Sequence, residues 1–222
     1  MTTIPIIILR FTGPMQSWGI NSRWNFRDTS SEPTKSGIIG LLACALGYKT
    51  LDLKIEKELD KNLKVGLRID RPGIVTTDFH TVSGLHTIAT GKSKVHTELS
   101  YRSYIEDASF LIVVTGPLTL LKKIEHALKK PKWPIYLGRK SCIPTQPILE
   151  ILTQEYSSLK EALKTIPWNK FTSKDNVPEI LRCVIEDENG NLLRKDAIRI
   201  NPARIYGTRR ISECWIKTPL IE

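Results

Sequence analysis

The chain is poor in the residues that build metal sites, disulfide frameworks and membrane spans. Its four cysteines, Cys44, Cys142, Cys183 and Cys214, are widely separated, form no CxxC pair and have no histidine at ligand spacing. A zinc site or a disulfide framework is therefore not expected, and four reduced, mostly buried thiols are. No apolar run approaches the roughly 18 residues that a membrane helix needs. Met1 to Pro5 lacks a basic leader followed by the core and cleavage site of a secretion signal, so a cytoplasmic protein with no membrane partner is expected. No segment has the glycines that a Walker loop places before its lysine, so nucleotide hydrolysis has no support. No metal or other cofactor is expected.

Acid is scarce as well. Against 33 Lys and Arg stand 23 Asp and Glu, a net charge of +10 and a pI near 9.5, the electrostatic footprint of a protein with a polyanion partner, nucleic acid first among them. The excess is clustered: seven basic residues to one acid between Leu120 and Lys140, and seven to two between Arg194 and Lys217. At 222 residues the chain is long enough for a substantial core, and no obvious linker divides it.

The most informative stretch is Gly13 to Gly19, Gly-Pro-Met-Gln-Ser-Trp-Gly, where the apolar run Ile4 to Phe11 stops in a turn. Proline has no donor for the ladder and glycine permits the left-handed turn, so Gln16 and Trp18 are expected to be presented just beyond a sheet edge, where a ligand can stack and accept hydrogen bonds. Asn21 to Pro33 reads as a loop above that strand end. Ile38, Leu41, Leu42, Ala45 and Leu46 then lie on one face of a helix that Gly47 can close; its start, Thr34-Lys35-Ser36-Gly37, offers hydroxyls, a lysine and free amides to an anion. Leu51, Ile55, Leu59 and Leu63 predict a second amphipathic helix. Strand patterns follow at Lys64 to Asp70 and Ile74 to Val82, and Ser83 to Glu98 is a polar excursion with His86, Lys92, Lys94 and His96 around Gly91, the kind of long, poorly apolar insertion that is usually functional.

Ala108 to Thr115 predicts a buried strand, and Leu120, Leu121, Ile124 and Leu128 the inner face of a helix ended by Pro131. Pro134 to Cys142 is a loop in which Gly138 lets backbone amides approach a ligand while Arg139, Lys140 and Ser141 supply charge and hydroxyl, the composition of a phosphate nest. Pro147 to Leu152 gives one more strand. The order predicts an α+β protein with a ferredoxin-like, RRM-like core over residues 1–152, carrying a hairpin inserted at about 83–99. Residues 153–222 contain a capping box at Ser158 to Glu161 and a β-hairpin over Leu181 to Ile200, and read as a smaller β-rich part packed on that core.

Five blocks in order resemble the CasD subunits of type I-E CRISPR Cascade complexes, in the RAMP superfamily: Ile8 to Gly19, Pro33 to Leu42, Asp78 to Val82, Tyr101 to Phe110 and Tyr136 to Cys142. They cover roughly the first two-thirds of the chain. The resemblance implies a non-catalytic subunit that holds the 5′ handle of the crRNA, with the insertion as a thumb against a CasC-type backbone subunit, a CasA-type large subunit nearby, and target DNA met only indirectly. On this sequence it implies that Gly138, Arg139, Lys140 and Ser141 hold handle phosphates and that Gln16, Trp18, Arg23, Lys35 and Ser36 line the strand-end pocket. Lys92 and Lys94 on the thumb, Arg102 and Tyr104 beneath it, and Arg209 and Arg210 complete the expected RNA-binding set.

Two other readings fit parts of the sequence. A metal-independent endoribonuclease acting on crRNA precursor needs a base and an acid, for which His80, His86 and His96 with Tyr101 and Lys94 are the candidates. A generic basic RNA-recognition module explains the composition but not the five ordered blocks.

Overall fold

The computed structural model describes residues 2–87, 94–169 and 176–220. The apolar run at the start becomes β1 (Ile4–Thr12), buried on both faces. Ile7, Leu9 and Phe11 face one hydrophobic cluster, and Ile6 and Ile8 face another. Strand alternation therefore sends every second side chain into a different core, and the sheet is covered on both sides. Two short strands follow, β2 (Met15–Gln16) and β3 (Phe26–Arg27).

Helix α1 (Lys35–Leu46) starts where its sequence says it should. The Thr34 hydroxyl accepts from the Gly37 amide, and Gly47 closes the far end at φ 77°. The expected second helix is reduced to one π-helical turn, Ile55–Asp60, with Ile55 and Leu59 buried. β4 (Lys64–Arg71) comes next, then the paired long strands β5 (Ile74–Thr87) and β6 (Lys94–Glu106), then β7 (Ser109–Thr115), α2 (Leu118–Lys129), β8 (Leu149–Tyr156) and α3 (Leu159–Thr165). β9 (Ile180–Glu186), β10 (Leu192–Ile200) and β11 (Arg204–Lys217) end the described chain.

The seven-stranded main sheet has the order β10-β11-β9-β4-β7-β1-β8. In its β4-β7-β1-β8 part every neighbouring pair is antiparallel, and the connections β1-α1-β4 and β7-α2-β8 pack α1 and α2 on one face while α3 lies on the other. β8 runs through position 152, and β9 to β11 continue the same sheet from the β4 edge.

β5 and β6 leave the main sheet together. Gly73 turns at φ 70°, where a Cβ would stand 2.3 Å from the Glu106 carbonyl oxygen, so only glycine admits the exit. Pairing then runs from Ile74 opposite Glu106 to Thr87 opposite Lys94. The excursion expected at about 83–99 is thus the outer part of a hairpin that starts at residue 74; Lys92 lies outside the described residues, as do the side chains of His86, Lys94 and His96.

A buried ionic cluster locks α3 to the sheet. Arg68 is fully buried and donates through Nη1 to the Leu163 and Ile166 carbonyls, the end of α3, and through Nε to Asp70 at 2.5 Å. Asp70 also accepts from Arg10 at 2.8 Å, and Arg10 reaches Glu150 on β8. The helix C-terminus, the sheet and two carboxylates satisfy one another with little solvent.

Candidate nucleic-acid interface

The turn after β1 and the glycine loop of residues 134–142 are built as one unit. The Ser17 amide donates to the Leu137 carbonyl at 3.1 Å, and the loop closes on itself through Leu137 N to Cys142 O and Cys142 N to Arg139 O. Gly138 sits between them at φ 91°, and a Cβ there would lie 1.7 Å from the Ser17 carbonyl oxygen. Glycine is needed both for the backbone angle and for the close approach.

That contact sets Arg139 at the floor of a groove. Its Nη2 donates to the carbonyls of Arg27 and Asp28 at 2.9 and 3.4 Å, and its guanidinium lies 4.8 Å from the centre of the Tyr104 ring. Its Nη1 is buried and makes no hydrogen bond within the protein. Opposite it, the loop of residues 19–28 is tied by Asp28, whose carboxylate accepts from the Ile20 and Asn21 amides and the Ser22 hydroxyl. Burial works against that charge, but these hydrogen bonds and the neighbouring Arg139 prevail and hold the Asp28 pKa below the ordinary aspartate value.

The groove consists of two lobes, of about 500 and 400 Å³, that share Ser17, Gly19, Gly138 and Tyr206. The first is lined by Arg23, Arg27 and Arg139 with Trp24, which is 76% exposed with the Arg27 guanidinium 5.8 Å from its ring centre. The second lies between α1 and the β10–β11 turn and is lined by Arg204, Tyr48, Trp133 and Tyr136. Neither lining includes a carboxylate.

The sequence-predicted residues divide sharply around this groove. Arg23, Gly138, Arg139, Lys140 and Ser141 are at or beside it, with Arg23, Gly138, Lys140 and Ser141 exposed. Gln16 and Trp18 are not presented to solvent as expected. Trp18 is 1% exposed and stacks on Phe11 at 5.5 Å, while Gln16 donates to the Phe11 and Ala108 carbonyls and accepts from the Trp18 indole. The turn closes the core, and Trp18 meets the groove only as a buried part of the second lobe's wall. Tyr104 is likewise buried, under Arg139.

Lys35 is 3% exposed, with its ammonium on Glu186 at 2.8 Å and on the Asp60 carbonyl; its amide, one of the free donors at the start of α1, donates to Asp196. The anion expected at this helix end is the protein's own carboxylate. Asp196 is held in turn by Arg209 through contacts of 2.6 and 3.0 Å, so Arg209 faces the interior. Arg210 donates to the Gly190 carbonyl and Arg102 to the Ser100 hydroxyl. Ser36 lines the second lobe, where its carbonyl accepts from Arg204.

Of the nuclease candidates, His80 lies 2.7 Å from the Asp78 carboxylate. It stands opposite Ser100, whereas Tyr101 stands opposite Phe79, so His80 and Tyr101 point to different faces of the hairpin; the side chains of the other candidates, His86, Lys94 and His96, lie outside the described residues. Sequence reading missed Trp24, Arg27, Arg204 and Tyr206. The run Arg23-Trp24-Asn25-Phe26-Arg27 carries the signal, an aromatic between arginines inside a polar loop.

The family described as CRISPR-associated protein (Cas_Cas5) matches residues 6–212. The chain belongs to this family. Among relatives, the CRISPR system Cascade subunit CasD of Escherichia coli (strain K12) is 35% identical over 153 residues, 64% of this chain and 68% of that protein. A chain of a solved CRISPR RNA-guided surveillance complex superposes with a TM-score of 0.76 at 31% identity, covering 96% of this chain and 91% of its own. A crystal structure of a Cas protein gives 0.71 at 31% identity over 97% and 98%. Such coverage extends the likeness past the five sequence blocks to the β9–β11 region, so the Cas5 fold spans nearly the whole chain. Among the described residues no helix is long and apolar enough to cross a membrane, and no cluster of His, Cys, Asp and Glu has the grouping of a metal site.

Proposed function

We propose that this Cas5-family chain is a subunit of a Cascade-type CRISPR surveillance complex that grips the 5′ handle of the crRNA in the groove around Arg139 and does not cut it. The observation that carries the reading is the first lobe: three arginines, an exposed tryptophan and no carboxylate. Arginines hold phosphates and an aromatic face accepts an unstacked base, the combination single-stranded RNA requires. Arg23, Arg27 and Arg139 take the phosphates, with Lys140 and Ser141 at the rim.

The fold supports the same reading. The antiparallel order β4-β7-β1-β8 with its two crossover helices is the order of a ferredoxin-like, RRM-like core. On it, the β5–β6 hairpin is the thumb that packs on a CasC-type backbone subunit, a CasA-type large subunit docks nearby, and target DNA is met only through the assembly. Residues 153–222 then act as a β-rich extension of the core. A non-catalytic role agrees with the placement of His80 and Tyr101 on opposite faces.

The test uses the full chain with a labelled handle-bearing crRNA, an unprocessed repeat precursor and a scrambled handle over a salt series. Intact RNA and preference for the handle are expected. Replacing Arg23, Arg27 and Arg139 together by alanine should lower the slope of log K against log salt by about 2, given roughly 0.7 per phosphate contact on a single strand. Specific cutting of the precursor, abolished by His80→Ala, would sink the non-catalytic reading.

A further inference from the structure

Strand alternation sends Cys183 of β9 and Cys214 of β11 to the face of the sheet that α3 covers, and the ladder sets them directly opposite each other. Opposed residues of an antiparallel pair have Cα atoms about 4.5 or 5.5 Å apart, and both spacings fall within the roughly 4.4–6.8 Å that a disulfide spans. The two thiols already meet in a hydrogen bond. Their surroundings differ. Cys183 is fully buried in the cluster with Ile6, Ile8, Leu111 and Leu181. Burial pushes its thiol up to about 12, with Cys214 adding to the rise and Arg68 opposing it. Cys214 is half-buried and lines an opening of about 400 Å³ beside Lys160, Ser212 and Glu213. One sulfur is therefore held as a protonated thiol under the sheet while the other is reached from solvent. The remaining cysteines are placed otherwise, Cys44 against the Pro134 carbonyl and Cys142 beside Ser141.

We propose that Cys183 and Cys214 are a redox-sensitive pair, which a peroxide converts to a cross-strand disulfide stapling β9 to β11 and a thiol reductant restores. In the first step the Cys214 thiolate attacks one peroxide oxygen, breaks the O–O bond and becomes a sulfenic acid; the other oxygen leaves as hydroxide and takes up the thiol's proton as water. In the second, the Cys183 sulfur attacks the Cys214 sulfur, and its proton leaves with the displaced hydroxyl as a second water. Two thiols and one peroxide thus give one disulfide and two waters. The bond closes β9, β10 and β11 into one covalent loop, which restricts the unfolded chain and stabilises the folded one. The inference is independent of the RNA-binding reading, since neither sulfur lines the groove.

The test starts from the full chain, reduced and then freed of reductant. It is treated with hydrogen peroxide in small excess, its remaining thiols are capped, and it is digested without reduction and mapped by mass spectrometry. A linked Cys183–Cys214 peptide is expected, with Cys44 and Cys142 capped and the link removed by dithiothreitol. The melting midpoint of the oxidised chain should rise by on the order of 5 °C and return on reduction. Cys183→Ser, which removes the second step, should leave Cys214 as a sulfenic acid that dimedone labels. On the wild-type chain alone, three results overturn the proposal: all four thiols capped after peroxide, sulfinic acid at Cys214 with Cys183 free, or a link to Cys44 or Cys142. A linked chain that melts no higher than the reduced one would mean that the bond strains the sheet, and the staple would fall.

Discussion

Two regions of this molecule are rich in arginine and lysine, and they have opposite meanings. In and beside β1, β4, β9 and β10 a set of buried and half-buried cations faces acids: Arg68 and Arg10 on Asp70, Lys35 on Glu186, Arg209 on Asp196, and Arg182 and Arg194 on Glu32 and Glu213. In the groove, Arg23, Arg27, Arg139 and Arg204 line a surface with no carboxylate, and two of them keep a buried nitrogen unpaired. Net charge therefore says little about where a polyanion lies; the lack of a local acid says more. A cation that has already met its counter-ion inside the fold is structural, whatever its neighbours in sequence suggest.

The comparison is sharpest if one arginine of each kind is removed. Arg68→Ala strips the partner from buried Asp70 and frees the carbonyls at the end of α3. Breaking a buried pair from one side costs about 3–5 kcal/mol, so the expected result is a large fall in the urea midpoint, or an insoluble chain, with no separate effect on RNA. A mild loss of stability would mean that the interior cluster is solvated and that the division between the two regions is false.

Trp24→Ala probes the other side. With its ring mostly in solvent, the substitution should leave the urea midpoint unchanged and weaken RNA binding by about 1–3 kcal/mol if a base stacks there. Quenching of tryptophan emission by RNA, reduced in the variant, reads the same contact. Unchanged affinity would restrict the first lobe to phosphate contacts.

Much of the fold was legible because its determinants are local. β1, β7, α1 and α2 announce themselves by buried apolar runs or periodicity, and α1 by its cap and closing glycine. β11 was not, because Arg204–Lys217 buries only Ile211 and Ile216 among fourteen residues and reads as a basic run. The site was half legible. Gly138 and Arg139 are marked by composition, but the roles of Lys35 and Arg209 depend on Asp196, which lies 161 residues from Lys35, a distance that no local pattern spans. Trp18 misled for a related reason: a turn after a strand predicts exposure, and only the packing against Phe11 reverses it.

Asp28 is the acid closest in role to the groove, and it tests whether an acid can serve it by staying out of it. Its carboxylate is committed to the amides of Ile20 and Asn21 and to Ser22, the segment that presents Arg23 and Trp24. Because its folded pKa is lowered, the linkage has one sign: its stabilisation is present above the unfolded aspartate value of about 3.9 and is lost as pH falls through the lower folded value. Asp28→Asn should thus bring a small fall in the urea midpoint at pH 7 that shrinks below about pH 4, where the wild-type carboxyl takes up its proton. RNA affinity at pH 7 should fall with it, since a looser loop holds Arg23 and Trp24 less firmly. The opposite result, tighter RNA binding by Asp28→Asn, would mean that this carboxylate repels the phosphates, and the groove would then contain the acid that sets it apart from the interior by its absence.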